Sequence, residues 1–412
     1  MNSMTKRCFR LAAGSVAAAV AVMGTGLAAH AADTDPVKIG VLTDMTGFLS
    51  SSLGPGSVDA AKMAIEDFGG QVLGKKIEFV SADHQNKPDV GLATARKWYE
   101  SDGVDVIADV GNSAVGLGVQ ELAKDKKKLV FYSGASSSIF TDKACSPYGT
   151  QWSHDTYMFA SALPAKLTRA GDKTWYFVTA DFAFGQALEA DATRAINGAG
   201  GKVVGSVRHP PNSTDFSSFL MQASSSKGSV VALANAITDT TNSIKQWNEF
   251  QMGGKSQKLV ALTLLLNDVR ALGLPVAQGT VFSTVFYWDL DDKTRSFSKR
   301  FFERNKFMPA EAHAGTYSAV LHYLQAVKAA GTKDADVVRV KMRELPVNDF
   351  YSDGVKIRED GRVMRQTYIA QVKTPAESKG PWDLYKILET VPADQSWRPL
   401  SGSQCPLVKK PA

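Results

Sequence analysis

The chain is poor in the residues that build metal and redox sites, because its 412 residues include only three cysteines and six histidines. No two histidines stand at a metal-ligand spacing, so we expect neither a metal nor a cofactor. The sequence also lacks a Gly-x-Ser-x-Gly elbow, a His-Glu-x-x-His helix and a Gly-x-x-x-x-Gly-Lys-Ser/Thr phosphate loop. These absences predict that the protein is not an enzyme.

A strong charge of one sign is missing as well. Lys and Arg number 47 against 41 Asp and Glu, a net charge of +6, and three of the basic residues lie in the first 31 positions. Basic and acidic side chains are interspersed along the rest of the chain. A nucleic-acid partner is therefore not expected.

Long hydrophobic runs are absent after the first 31 residues, which themselves have the pattern of a secretory signal peptide. Lys6, Arg7 and Arg10 precede an apolar stretch, and small residues around Ala31 follow it. The apolar stretch is too short for a membrane span. We expect cleavage after Ala31 and export of a soluble protein to the periplasm.

Two cysteines follow the leader, Cys145 and Cys405, and both lie in loop-like contexts. In an oxidising compartment two cysteines are the number that makes one bridge. The sequence therefore predicts a Cys145–Cys405 disulfide that ties the C-terminal tail, residues 401–412, to the body of the protein.

Short apolar runs alternate with amphipathic segments along most of the chain, which predicts an α/β fold with doubly wound parallel sheets. Before residue 155 the predicted strands are Lys38–Leu42, Ile77–Ser81, Val104–Asp109 and Leu129–Ser133. After it they are Trp175–Val178, Lys202–Val207, Val230–Ala234, Lys258–Thr263 and Thr280–Phe286. The chain is long enough for two domains.

The later chain is less regular and predicts a crossing between the two domains. Asp292–Arg304 and Ala314–Ala330 read as a helix pair that is best accommodated by a return to the first domain. We therefore expect lobe 1 to comprise residues 37–155 plus 285–346, and lobe 2 to comprise 156–284 plus 347–400. Such crossovers favour a hinge with a cleft.

Polar and aromatic residues follow the predicted strands, where ligands bind in open α/β sheets. Small polar groups at helix N-termini suit a carboxylate, and the phenyl rings beside them suit an apolar body. Ordinary helix caps and core aromatics remain the alternative reading. The candidate residues taken from these loops are Phe48, Asn112, Ser113, Gly134, Ala135, Ser136, Phe182, Phe184, Asn235 and Thr238.

Four segments carry a resemblance to a known family. They are Val37–Gly47, Asp181–Gln186, Thr214–Phe219 and Ala314–Val320, and their order and spacing also match. With them the chain resembles a type I periplasmic binding protein, and more narrowly the leucine/isoleucine/valine-binding receptors of ABC importers, over residues 37–400. The resemblance implies two Rossmann-like lobes, a three-segment hinge that closes like a Venus flytrap, and delivery of a small solute to an inner-membrane permease by a monomer.

The family's ligand positions carry over unevenly. The resemblance implies that Asn112–Ser113 and Gly134–Ser136 hold a carboxylate, and that Phe182 or Phe184 stacks over the ligand. The acid that binds the ligand ammonium is missing, because the corresponding stretch is Leu262–Leu266. A buried ammonium without a partner is costly, which favours an apolar or aromatic carboxylate lined by Leu265 as well.

Alternatives to this reading stay open. Asp239 or Asp268 could replace the missing acid, which would make the protein a receptor for branched-chain or other amino acids. A soluble sensory module that passes the signal of a bound solute to a membrane protein is a further alternative.

Overall fold

The computed structural model of the protein describes residues 35–254 and 256–409. The predicted signal peptide, residues 1–31, lies outside the described residues. Within the described part of the chain, no helix combines the length and the apolar character that a membrane crossing needs.

The first segment builds a five-stranded parallel sheet in the order β4-β1-β5-β6-β7. Its central strands are buried on both faces, as their continuous apolar sequence predicts. The strands of this segment, together with the short hairpin β2–β3, are β1 (Lys38–Thr43), β2 (Gln71–Val72), β3 (Lys75–Lys76), β4 (Glu78–Asp83), β5 (Val106–Asp109), β6 (Leu129–Tyr132) and β7 (Gly149–Gln151). Its helices are α1 (Gly54–Phe68), α2 (Pro88–Glu100) and α3 (Ser113–Lys126).

The second segment repeats the theme with a four-stranded parallel sheet in the order β11-β10-β8-β9. Its strands are β8 (Thr174–Ala180), β9 (Lys202–His209), β10 (Val230–Ala234) and β11 (Lys258–Ala261). Its helices are α4 (Thr156–Arg169), α5 (Ala183–Gly198), α6 (Ser217–Ser224), α7 (Thr238–Glu249), α8 (Leu266–Leu272) and α9 (Leu274–Ala277). The sequence did not indicate α4, a helix that begins where the Asp155 side chain caps the Met158 N–H at 2.8 Å and that contains Pro164.

The third segment contains a long helical stretch and a small antiparallel sheet. Its strands are β12 (Val281–Thr284), β13 (Val347–Asp349), β14 (Ser352–Val355), β15 (Thr367–Val372) and β16 (Tyr385–Val391). Its helices are α10 (Asp292–Asn305), α11 (Glu311–Ala330), α12 (Ala335–Glu344) and α13 (Ala393–Ser396).

The antiparallel sheet has the order β12-β15-β16, which corrects the expectation that the strand near residue 280 joins a parallel sheet. The chain returns from β15 to β16 through a loop without a crossover helix. Such a connection makes β15 and β16 antiparallel, and β12 pairs with the other edge of β15 in the antiparallel direction as well.

The helices of the third segment pack on the first sheet. Phe301 of α10, Tyr323 of α11 and Val338 of α12 are fully buried in one apolar cluster with Val41 of β1 and Val106 of β5. A second cluster surrounds β8 and β10. This packing fits the predicted return of the helix pair, while the exact lobe boundaries stay a prediction.

The C-terminal end of the chain, from Arg398 into the tail, is fastened to both parallel-sheet segments. The predicted disulfide is present, with 5.5 Å between the Cα atoms of Cys145 and Cys405. Arg398 donates to Asp191 of α5 at 2.8 Å and to Ser138 at 3.0 Å. The disulfide therefore ties the tail to the loop between β6 and β7, and Arg398, just before the tail, ties the chain to helix α5 and to the loop after β6.

Candidate ligand-binding cavity

A cavity lies at the carboxyl ends of both parallel sheets and encloses about 580 Å³ of space not filled by protein atoms, including solvent at its mouth. Most of its lining is apolar. The lining residues are Leu49, Ser52, Leu53, Gly111, Ser113, Gly134, Ser136, His154, Phe159, Phe182, Phe184, Ala236, Ile237, Thr263, Leu265, Ala310, Glu311 and Ala312.

Strand exits from the two sheets meet in this cavity. From the first sheet, Gly111 and Ser113 follow β5, and Gly134 and Ser136 follow β6. From the second sheet, the residues after β8, β10 and β11 contribute aromatic and aliphatic side chains. The ends of parallel strands are where α/β sheets bind their ligands, so the position of the cavity fits a binding site.

Six of the residues chosen from the sequence line the cavity together: Ser113, Gly134, Ser136, Phe182, Phe184 and Leu265. The two serines belong to interlocked loops, because the Ser113 Oγ accepts from the Ser137 N–H at 3.2 Å and the Ser136 Oγ donates to the Gly134 carbonyl at 2.8 Å. A side chain at Gly134 would crowd the Asp109 carboxylate and the Gly111 Cα.

The other five chosen residues lie elsewhere. Asn112 caps α3 by accepting from the Ala114 N–H at 2.7 Å, and Ala135 packs in the core beside α3. Asn235 is buried and accepts from the Thr240 hydroxyl at 2.8 Å. Phe48 is half-buried against the second cluster, and Thr238 is exposed. Contact between a ligand and any of the eleven chosen residues stays a prediction.

Several helices begin at the cavity without a side-chain cap. Phe182, Ile237 and Ala310 are the N-cap residues of α5, α7 and α11, and none makes a side-chain capping hydrogen bond. The first N–H groups of a helix have no intrahelical partner and carry a partial positive charge. The N-termini of α5 and α7, from the second segment, and of α11, from the third segment, therefore present polarised N–H groups to the cavity.

Ile237 also has a strained backbone, with a φ of 56°. A β-branched residue in the left-handed region is rare and is retained only where its surroundings impose it. This strain lies at the N-terminus of α7, in the wall of the cavity. Such outliers cluster at ligand sites.

No Lys or Arg is among the described residues that line the cavity. Burial, and next the nearby Arg362, lower the pKa of His154 to about 3, so its imidazole is neutral. His313 is neutral too, because burial lowers its pKa to about 4. It accepts from the Ala310 N–H at 2.9 Å and donates to the Leu53 carbonyl at 3.0 Å, which fixes α11 against α1.

The two acids considered in the sequence analysis, Asp239 and Asp268, already accept hydrogen bonds from backbone N–H groups. Asp239 accepts from the N–H groups of Asn212 and Ser213 at 3.1 and 2.9 Å, and Asp268 accepts from the Leu265 N–H at 2.9 Å. Neither lines the cavity.

Glu311, which the sequence reasoning missed, does line the cavity. The predicted helix began at Ala314, so Glu311 was left outside it, whereas α11 begins at Glu311. The available signal was its position before a long apolar helix, Ala312–Val327, that has to be buried.

Comparisons with known proteins agree with this architecture. The profile of the family described as periplasmic binding protein matches residues 36–381. A periplasmic binding protein from Burkholderia mallei is 43% identical, with 91% of this chain and 100% of that chain covered and a TM-score of 0.88. A branched chain amino acid ABC transporter periplasmic ligand-binding protein from Burkholderia xenovorans is 39% identical, with 90% and 100% covered and a TM-score of 0.80.

More distant relatives were also found. Leu/Ile/Val-binding protein homolog 1 of Brucella abortus is 25% identical over 69% of this chain and 76% of its own length. A solute-binding protein of an ABC transporter from R. palustris, solved in complex with benzoate, is 19% identical, with 90% and 100% covered and a TM-score of 0.77. At that identity the last comparison shows the fold alone.

Proposed function

We propose, from the premise that this chain belongs to the periplasmic binding protein family, that its cavity holds a small carboxylate with an apolar, aromatic body. The chain is a periplasmic substrate-binding protein of the branched-chain amino acid ABC transporter family. Its type I periplasmic binding protein fold and its family resemblance, both predicted from the sequence, are confirmed. Members of the family are solute receptors, not enzymes.

The convergence of uncapped helix N-termini on a cavity without a basic side chain is the observation that carries the proposal. Helices α5, α7 and α11 are 16, 12 and 20 residues long and all begin at the cavity wall. Their dipoles and free N–H groups favour an anion. The Ser113 hydroxyl can donate to a carboxylate, and the Ser136 hydroxyl can do so by turning from the Gly134 carbonyl, to which it donates at 2.8 Å.

The rest of the lining suits an apolar body. Phe182 and Phe184 lie with ring centroids 5.9 Å apart and an interplanar angle of 30°. Phe159, Leu49, Leu53 and Leu265 extend this apolar surface. Aromatic rings bury a large area and prefer offset or edge contacts with a second ring, so a flat aromatic acid fits this lining.

Transport requires that the bound solute be recognised and passed on. A ligand that touches residues of both sheets stabilises the arrangement in which the two walls are close, and this differential affinity drives closure. We infer that the protein acts as a monomer, closes on the carboxylate and docks on an inner-membrane permease.

An amino acid is the second candidate ligand. The observation in its favour is the 39% identity to the B. xenovorans protein, whose name specifies branched chain amino acid transport. An α-amino acid shares the carboxylate with the first candidate and adds an ammonium group.

A calorimetric titration with matched ligands tests the proposal. Benzoate is compared with benzamide, which has the same shape and no charge, and with leucine. At a concentration one hundred times its dissociation constant, a true ligand stabilises the protein by about 2.7 kcal/mol, and this shifts the melting temperature by a few degrees.

The expected result is binding of benzoate and loss of binding for benzamide. Equal binding of the acid and the amide would contradict the anion site. Binding of leucine alone would replace the aromatic carboxylate with the second candidate.

A further inference from the structure

Glu311 is the single acidic side chain among the described residues that line the cavity. It is 2% exposed. Its Oε1 accepts a hydrogen bond from the Thr284 hydroxyl at 2.7 Å, while its Oε2 is buried without a partner among the described residues. One oxygen of a cavity-lining carboxyl group therefore has an unfilled capacity to accept a hydrogen bond.

The surroundings supply no cation that would satisfy this oxygen. The described lining contains neither Lys nor Arg, and the ionisable groups whose pKa the charge of Glu311 raises are a second acid, Asp268, and the phenols Tyr351 and Tyr385. The pKa of each carboxyl group is raised to about 7, chiefly by burial, and the charge of Glu311 contributes to the rise at Asp268. Leaving a buried acceptor unpaired is unfavourable, so a group in the cavity has to supply the hydrogen.

The position of Glu311 is fixed before any ligand arrives. Thr284, at the end of β12, holds one oxygen, and the His313 imidazole ties the start of α11 to Leu53. The free oxygen is thus presented at a set place by two different elements. A preorganised acceptor costs little ordering when a ligand binds.

We propose that the Glu311 Oε2 accepts a hydrogen bond from a polar hydrogen of the bound solute, so that the solute carries an O–H or N–H group in addition to its carboxylate. This inference rests on the proposed function for the carboxylate and adds a second polar point to the ligand. Glu311 is then a specificity-determining residue: it selects hydroxylated or amino-bearing acids over their plain counterparts. A buried acceptor left unpaired is the basis of that discrimination.

Ligand pairs that differ by one polar hydrogen test the inference by calorimetric titration. Each of the three hydroxybenzoate isomers is compared with its methoxy ether, and phenylalanine is compared with 3-phenylpropionate. For the wild type we expect at least one donor-bearing member to bind about 10- to 100-fold more tightly than its partner, the range of a hydrogen bond to a charged group. The pair that shows the preference identifies the donor as hydroxyl or ammonium.

Two variants connect this preference to Glu311. Glu311→Met keeps the shape and removes the acceptor, so the members of each pair should bind within about threefold of each other. Glu311→Gln keeps a neutral acceptor, so it should retain a hydroxyl preference and lose an ammonium preference. Glu303→Met, the same change at an exposed position of α10, should leave both preferences unchanged.

The outcomes separate this inference from the proposed function. Equal binding of donor and ether forms by the wild type, or an equal loss of all ligands in Glu311→Met, would overturn the role of Glu311. Phenol and anisole repeat the donor-against-ether comparison without a carboxylate. If the protein prefers phenol to anisole but binds benzoate and benzamide equally, the role of Glu311 stands and only the proposed anion site is overturned. If Glu311→Met does not fold by circular dichroism, the nearly isosteric Glu311→Gln decides for an ammonium donor, and Glu311→Ala, which also lacks an acceptor, decides for a hydroxyl donor.

Discussion

The two walls of the cavity differ in chemistry although the two sheets that supply them share one architecture. The loops after β5 and β6 contribute glycine and serine, Gly111, Ser113, Gly134 and Ser136. The loops after β8, β10 and β11 contribute mainly rings and branched chains. The loops after β5 and β6 thus present small polar groups, whereas the loop after β1, with Leu49 and Leu53, and the loops of the second sheet present mainly apolar surface.

This difference separates the tasks of orienting and enclosing a ligand. Small residues let a carboxylate approach backbone N–H groups closely, while large apolar residues supply most of the area that is removed from water. The helix N-termini act on both sides, and Glu311 of α11 belongs to neither wall. The predictions below alter one wall, the residue between the walls, and then the other wall.

Removal of the hydroxyl groups of Ser113 and Ser136, the polar wall of the cavity, should lower benzoate affinity more than the other substitutions do. The double variant Ser113→Ala/Ser136→Ala removes the Ser113 hydroxyl, which we assign to the carboxylate, and the Ser136 hydroxyl, which binds it by exchanging its bond to the Gly134 carbonyl. Because a hydrogen bond to a charged group contributes about 1.5–3 kcal/mol, benzoate affinity should fall about 100-fold or more. Titration calorimetry measures this loss.

The control for the polar wall is Ser296→Ala, an exposed position of α10. A double variant that binds benzoate as tightly as Ser296→Ala would show that the backbone alone holds the carboxylate. Melting curves of both variants establish that the fold is retained.

The sequence was sufficient for the features that depend on local pattern. Continuous apolar strands such as Val106–Asp109 and Val230–Ala234 predicted the parallel sheets, and their ends located half of the chosen site residues. The pairing of β12 with β15 was not predictable, because strand direction there depends on a connection between residues far apart in the chain. Asn112 and Asn235 lie outside the cavity lining for a similar reason: a polar residue after a strand looks the same in sequence whether it faces a cavity or binds the start of the next helix.

Glu311 shows the limit of local reasoning most clearly. Its burial depends on Leu53 and Thr284, residues from two distant segments that close over the start of α11. A sequence pattern records only that an acid begins an apolar helix. The missing ammonium partner was sought at Leu262–Leu266, whereas the acid of the cavity comes from the third segment.

Neutralisation of Glu311 should change the pH dependence of stability. Its pKa is near 4.5 when exposed and about 7 in the fold, where burial is the main cause of the rise. Between these values the folded protein keeps a proton that the unfolded chain has released, so the contribution of Glu311 to stability falls as pH rises through this window. Relative to the wild type, ligand-free Glu311→Gln should gain on the order of 2–3 kcal/mol from pH 4.5 to pH 8.

Chemical denaturation at both pH values measures this gain, with exposed Glu303→Gln as the control. The same difference between Glu311→Gln and wild type at pH 4.5 and pH 8 would mean that Glu311 is not a buried titrating group. Asp268 remains in both proteins and should enlarge the gain, because its pKa falls once the neighbouring charge is removed and the variant then loses less stability at pH 8.

A conservative substitution in the apolar wall should cause the smallest loss of ligand affinity, and this loss should be specific to aromatic ligands. Phe182 is the better position, because Phe184 is 8% exposed and its truncation would also open the core. Phe182→Leu keeps apolar surface and removes the ring. Since an aromatic pair adds about 0.5–1.5 kcal/mol beyond buried area, benzoate affinity should fall about two- to tenfold.

Cyclohexanecarboxylate makes this prediction specific to the ring, because it has the same charge and nearly the same shape without a π face. Its affinity for Phe182→Leu should stay within about twofold of its affinity for the wild type, since burial of aliphatic surface is largely preserved. Phe250→Leu, at a ring that is 51% exposed, controls for the substitution itself. An equal loss for both acids would mean that the wall acts by area alone, and the aromatic part of the ligand proposal would then have no support from Phe182.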